Sequence, residues 1–183
     1  MGEVTGPPPA AGAARRLRLP ASGKGAFWEQ PLGTLSRAEW EALCDGCGQC
    51  CLHKLEDEDT GEVHFTNVSC RLLDTKTAQC KDYRNRLAHV PDCLRLTPAK
   101  ITQYEWLPAT CAYRLRAADK PLPGWHYLIS GDRDAVHRAG ISVRGRVISE
   151  DLAGPIEQHV LTSEANWSPD IPGDEAEDGP GDA

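Results

Sequence analysis

The chain has 183 residues, 40% apolar and 26% charged, with a net charge of −7. That length favours one domain. Residues 168–183 hold six acids and no base, so the rest of the chain is close to neutral, which excludes a general attraction to nucleic acid or to an anionic membrane.

In chain order, residues 1–26 are rich in Pro, Ala and Gly, with one basic cluster at Arg15–Arg18. Too little of this arm is apolar to offset the entropy of ordering it, so it is expected to be disordered. It lacks the apolar stretch of a secretory signal, and Gly6 stands where a myristoylation pattern wants Ser or Thr. No apolar run in the chain approaches a membrane span. A cytoplasmic protein is the expectation. A folded domain is expected over 27–167, followed by a disordered acidic tail at 168–183.

The first strong local signal is LSRAEW. Ser36 and Glu39 have the spacing of a capping box, and Leu35 and Trp40 that of a hydrophobic staple. A helix is predicted from Arg37 toward Leu43. It delivers the chain to CDGCGQCC, four cysteines in eight residues, where Gly46 and Gly48 make further regular helix costly and suit tight turns. A hairpin is predicted next, over 52–55 and 62–67, turning at the acidic DEDTG segment. From Cys70 to Cys93 the chain is polar and reads as organised by its cysteines. Thr97-Pro98 reads as an N-cap with Pro at the first helical position. Pro108 is predicted to start a helix carrying Cys111 to Ala118. PLPGW is a turn, 132–139 a short helix, and ISVRGRVI, 141–148, a strand with alternating apolar positions.

Cys44, Cys47 and Cys50 form two overlapping C-x-x-C units. Two intervening residues let the chain turn back so that both thiolates face one ion. Cys51 follows at once. In extended chain, neighbouring side chains point to opposite sides, so Cys50 and Cys51 reach two centres more easily than one. Cys70, Cys80, Cys93 and Cys111 bring the total to eight, or two sets of four. Spacing does not assign the distal four to either set. In a reducing compartment eight cysteines read as metal ligands ahead of a disulfide framework or a thioredoxin-like pair. A buried apolar role remains open for Cys111 on its helix.

The spacing matches neither a bacterial ferredoxin run, because Lys54 and Leu55 stand where its last Cys and Pro would be, nor a zinc ribbon, because no C-x-x-C recurs at a distance along the chain. Thiolates suit zinc and iron alike. Three close ligands with one remote partner give a slight preference for iron or an iron–sulfur cluster. Lys54, Arg71, Lys76 and Lys81 are placed to offset thiolate charge. His53 and His64 are candidate substitute ligands, with surface roles expected first; His126 and His137 read as structural. Trp40, Trp106 and Trp125 are expected in the core.

At CDGCGQCC the chain resembles the bacterial YcgN-type cysteine-cluster family, a branch of the C-x-x-C-x-x-C-C group described as a zinc- or iron-chelating domain. The resemblance runs through FWEQPL, LCDGCGQCCLHKLEDEDTGE, FTNVSCRLLD, PDCLRLT, EWLPATCAYRL and ISVR, and covers nearly all of 27–167. It implies that Cys44, Cys47, Cys50, Cys51, Cys70, Cys80, Cys93 and Cys111 are the chelating set. It implies no substrate.

The expectation is therefore a small, partly irregular α+β domain closed by metal–thiolate cross-links, whose partners are metal ions and a protein partner that the sequence does not identify. A non-catalytic metal-binding role is expected first, since no Ser-His-Asp set, nucleotide loop or H-E-x-x-H occurs. The alternatives are an iron–sulfur redox enzyme or electron-transfer protein, and an adaptor whose acidic tail binds a basic partner.

Overall fold

The computed structural model describes residues 26–161. The Arg15–Arg18 cluster, the acidic tail and most of the expected disordered arm lie outside those residues, as does the end of the expected domain at Trp167.

The described residues mix short helices and short strands. Helix α1 (Arg37–Ala42) starts as its sequence dictates. The Ser36 hydroxyl accepts from Glu39 N at 3.3 Å, and the Glu39 carboxylate accepts from Ser36 N at 2.8 Å. Both orphan donors of the first turn are thereby satisfied. Trp40 and Ala42 turn inward, and Leu43 caps the helix immediately before Cys44.

Strands β1 (Leu52–Glu56) and β2 (Val63–Ser69) form the predicted antiparallel hairpin. Asp57 holds its turn by accepting from Asp59 N, Thr60 N and the Thr60 hydroxyl. The register shifts between Leu52 and Lys54, leaving a bulge in β2 in which the Thr66 hydroxyl donates to His53 O at 2.9 Å. The bulge lets the end of β2 do a second job. Val68 and Ser69 pair in parallel with Ile148 and Ser149 of β5, which is numbered after the two-stranded ribbon of β3 (Leu73–Asp74) and β4 (Gln79–Cys80). The sheet order is β1-β2-β5.

After the ribbon come α2 (Arg86–His89), α3 (Ala112–Ala117), α4 (Tyr127–Ser130) and α5 (Ala135–Arg138). Two apolar clusters hold these pieces. The larger gathers Phe27, Trp40, Leu43, Leu107, Tyr113 and Tyr127 with their neighbours. The smaller contains Leu52, Leu73, Ala78 and Val143. Trp40 is buried, whereas Trp106 and Trp125 are half-buried.

Three expected elements differ. No helix follows Thr97-Pro98. Lys100 N bonds Thr97 O and a single 3-10 turn, Ile101–Gln103, ensues, because only Ile101 of that stretch has a core to face. The helix expected from Pro108 begins at Ala112, after a turn in which Cys111 N bonds Pro108 O, and its buried face is Ala112, Tyr113 and Leu115. The strand expected over 141–148 is interrupted. Ile141, Ser142 and Val143 are buried, but the chain turns at Gly145, whose φ of +69° departs from extended backbone, and pairs only at β5.

Candidate metal centre

Seven structural contexts carry the eight cysteines. Cys44 follows α1. Cys47 lies in the ensuing loop, and Cys50 and Cys51 in the 3-10 turn Gln49–Cys51. Cys70 follows β2, Cys80 ends β4, Cys93 lies in the loop beyond α2, and Cys111 is the N-cap of α3. All eight are free thiols.

The loop bearing Cys44 to Cys51 is held from several sides. The Asp45 carboxylate accepts from Cys47 N at 2.9 Å, a turn closed by a side chain two residues back. Cys47 O accepts from Val143 N at 2.9 Å, and the buried Gln49 amide donates to Ile141 O at 2.8 Å. The buried 141–143 segment is thus the loop's brace. Gly48 sits at φ +81°, and a Cβ there would stand 2.6 Å from the Val143 side chain. From the other side His126 Nδ1 accepts from Leu128 N, which leaves Nε2 to donate to Leu43 O at 3.0 Å, and the Tyr127 hydroxyl donates to Ala42 O. His126 is structural, as expected.

Among the described residues, no three His, Cys, Asp or Glu side chains already stand in metal-ligating geometry. The thiols nevertheless lie near enough for their charges to act on one another. Cys44 is open to solvent on one side and crowded by protein on the others. That desolvation, then the charges of Asp45, Cys50 and Cys111, pushes its thiol well up. Burial raises Cys47 too, with Asp45, Cys50 and Cys44 adding to it. Cys111 is pushed up to about 12, mainly by burial, with Cys50 contributing. The adjacent Cys50 and Cys51 thiols act strongly on one another, so one ionises at the other's expense. Cys50 falls to about 7, and Cys51 rises, with Cys70 and Cys93 adding to its rise. Cys93 is raised by burial, opposed by the charge of the nearby Arg86 guanidinium, and raised further by Cys70 and Cys80.

Of the predicted cations, Lys54 is the one that faces the sulfurs most directly. Its ammonium lies over the Phe65 and Trp106 rings, at 4.9 and 4.4 Å from their centroids, and donates to Leu52 O. Burial brings it down to about 8, while negative charge on Cys50 and Cys51 works the other way. Lys81 donates to Arg71 O at 2.9 Å, and Arg71 N donates to Glu150 at 2.7 Å. Lys76 lines an open cleft of about 440 Å³ with His137, Ser142, Arg144 and Arg146. His53 lies 3.0 Å from Glu150 and His64 3.8 Å from Glu62, so both histidines sit beside carboxylates.

Two residues were missed by sequence reasoning. Arg86 carries no local signal in the sequence beyond its position seven residues before Cys93. Asp45 lies inside the motif itself. It is buried, and its Oδ2 has no hydrogen-bond partner among the described residues. A buried carboxylate oxygen without a donor is costly unless a cation answers it. Together with thiols as the donor set, that orphan oxygen fits a bound zinc or iron. A metal supplies the positive charge that lets crowded thiols ionise, and thiolates are the ligands that both metals accept.

The fold and the loop define a cysteine-cluster domain. The sequence model of the CxxCxxCC family, described as a "putative zinc- or iron-chelating domain", matches residues 43–112, a span that includes all eight cysteines. A UPF0260 protein of Rhizorhabdus wittichii is 60% identical over 136 residues, covering 74% of this chain and 93% of its own. Similar proteins of the same designation occur in Granulibacter bethesdensis, 57% identical over 137 residues (74% and 82% covered), and in Klebsiella pneumoniae, 54% identical over 136 residues (74% and 92% covered). The chain belongs to this UPF0260 family of CxxCxxCC proteins. No solved structure matches it.

Proposed function

We propose that this chain is a metal-binding protein that chelates zinc or iron through Cys44, Cys47, Cys50, Cys51, Cys70, Cys80, Cys93 and Cys111, and that it acts without catalysis, in metal handling or as a partner-binding module. The observation that carries the reading is the buried, unpartnered Asp45 oxygen in the middle of a loop of free thiols. The family description supports the choice of metals. Under this reading the chelating domain spans 27–167, and the free thiols belong to a reducing compartment such as the cytoplasm. Arg86 and Lys54 place positive charge near Cys93 and the Cys50–Cys51 pair, where bound thiolates would carry excess negative charge.

An iron–sulfur version is favoured by one arrangement: three ligands on a tight run with a remote fourth, Cys111, close enough to influence Cys50 and Cys44. That form would allow electron transfer or a redox reaction. Anaerobic purification followed by elemental analysis and an optical spectrum tests both forms. Visible absorbance that bleaches on reduction establishes a cluster. A colourless protein with stoichiometric zinc removes the redox version. Oxygen-protected protein with no transition metal and eight reactive thiols overturns the proposal.

A further inference from the structure

We propose that the eight cysteines form two four-thiolate sites, Cys44, Cys47, Cys50 and Cys111 in one, Cys51, Cys70, Cys80 and Cys93 in the other, each taking one thiophilic metal centre. This assignment rests on the metal-binding reading above and adds what spacing leaves open: which distal cysteine completes which site.

The division begins at the adjacent pair. Cys50 packs against the larger apolar cluster, and so does Cys111. Cys51 packs against the smaller one, with Leu73 and Ala78 of the ribbon region. Two consecutive side chains thus leave the turn toward two different cores.

Backbone connections carry each group further. Cys70 N donates to Cys51 O at 2.9 Å, so Cys70 lies directly across from Cys51. Leu73 N bonds Cys70 O at 2.8 Å, and Leu73 pairs with Cys80 across the ribbon. The loop that brings Cys93 is pinned back onto this region. The Arg71 guanidinium donates to His89 O at 2.6 Å, and Cys93 N bonds Val90 O at 3.0 Å. In the first group Cys44, Cys47 and Cys50 share one short loop, and Cys111 reaches it through α3. The Tyr113 hydroxyl donates to Trp40 O at 3.0 Å, fixing the start of α3 against α1, which ends at Cys44.

Mutual charge effects follow the same lines. Cys44 feels Cys50 and Cys111, Cys47 feels Cys44 and Cys50, and Cys111 feels Cys50. Cys51 feels Cys70 and Cys93, and Cys93 feels Cys70 and Cys80. The sequence neighbours Cys50 and Cys51 are where the groups meet. Asp45 distinguishes the first site, because this buried residue with an orphan oxygen stands between Cys44 and Cys47 in the loop, and its charge acts on Cys44, Cys47, Cys50 and Cys111. Four thiolates match the closed coordination of structural zinc and the ligand count of common iron–sulfur clusters. Loading either site breaks S–H bonds and releases those protons to solvent as metal–sulfur bonds form.

The test uses the full-length chain, metal-free and anaerobic, titrated with Co(II) alone. Partly loaded protein is alkylated and weighed intact, and the protected cysteines are then mapped. The expected one-cobalt species protects four thiols, all from one of the two sets, and the two-cobalt species protects all eight. Where both ions enter together, paired variants decide. Cys44→Ala/Cys111→Ala should keep one cobalt and protect the second set, Cys80→Ala/Cys93→Ala should keep one and protect the first, and Cys80→Ala/Cys111→Ala should lose both. A one-cobalt species protecting a mixture such as Cys51 with Cys44, saturation at one cobalt, or loss of both ions in either within-set variant overturns the assignment while leaving metal binding intact for the native chain. Failure of the native chain to bind cobalt, zinc or iron overturns the metal-binding reading itself.

Discussion

At the scale of single residues, the cysteine loop depends on side chains that are not cysteines. Gly48 is the tightest case. Its backbone lies in the left-handed region, which costs an L-residue about 1–2 kcal/mol, and a Cβ would meet Val143 at 2.6 Å. Gly48→Ala should therefore destabilise by the strain plus about 1–3 kcal/mol for overpacking. In a Val143→Ala background the same substitution should cost only the strain, as denaturant midpoints would report. An equal cost in both backgrounds would mean that the contact does not matter. His126 offers a pH test. Burial holds its pKa below the ordinary 6.5, and the neutral ring is fixed by a donor on one nitrogen and an acceptor on the other. The unfolded chain takes up the proton more readily, so the contribution to stability is complete above the ordinary histidine value. It is lost as pH falls from there toward the depressed folded value. Melts compared from roughly pH 8 down to pH 5 should show a weaker acid loss for His126→Gln than for the native chain. Identical slopes would remove His126 as the cause.

At the scale of elements, the capping box makes a sharp prediction. Ser36→Ala should cost about 1 kcal/mol of folding stability, read by chemical denaturation, because the first turn of α1 loses the acceptor for Glu39 N. An unchanged midpoint would show that packing of Trp40 alone sets the helix. That element was legible in sequence because its signals are local: a cap, its reciprocal partner three residues on, and a staple. The hairpin was legible for the same reason, since Asp57 and Thr60 build the turn among themselves. The elements misread depend on distant partners. Ile141–Val143 alternates like a strand, yet its backbone bonds go to Val136 and to Cys47 and the Gln49 side chain, the last two on a loop nearly a hundred residues earlier. Thr97-Pro98 carries helix-start residues with no apolar face behind them. The cysteine run pointed to a metal centre by spacing alone. Asp45 could not be weighed that way, because its importance lies in a burial and an unanswered oxygen that only tertiary contacts create.

At the scale of the molecule, the regular elements are too short to stand alone. The longest described helix has six residues and the longest strand seven. Isolated helices of that length are unstable in water, so tertiary contacts must supply what propensity does not. The two parts of the chain are unequal in this respect. Helix α3 buries Ala112 and Tyr113 in the larger cluster, and its Leu115 is buried as well. Between Lys81 and Cys93 no residue is buried, and the ribbon beside it pairs over two residues on each strand. Four metal–thiolate bonds through Cys51, Cys70, Cys80 and Cys93 would therefore constrain a region with little else to hold it, whereas bonds through Cys111 would add to packing that already exists. Removing metal with a chelator should accordingly lower the melting temperature and reduce the far-UV signal. The loss should also be uneven, with amide hydrogen exchange accelerating far more across 81–93 than across α3. Restoring zinc or iron anaerobically should reverse both changes. A melting curve and exchange pattern untouched by chelation of a metal-loaded chain would show that the fold closes without sulfur–metal bonds, and uniform acceleration across both regions would show that the domain is one cooperative unit in which the larger cluster also depends on metal.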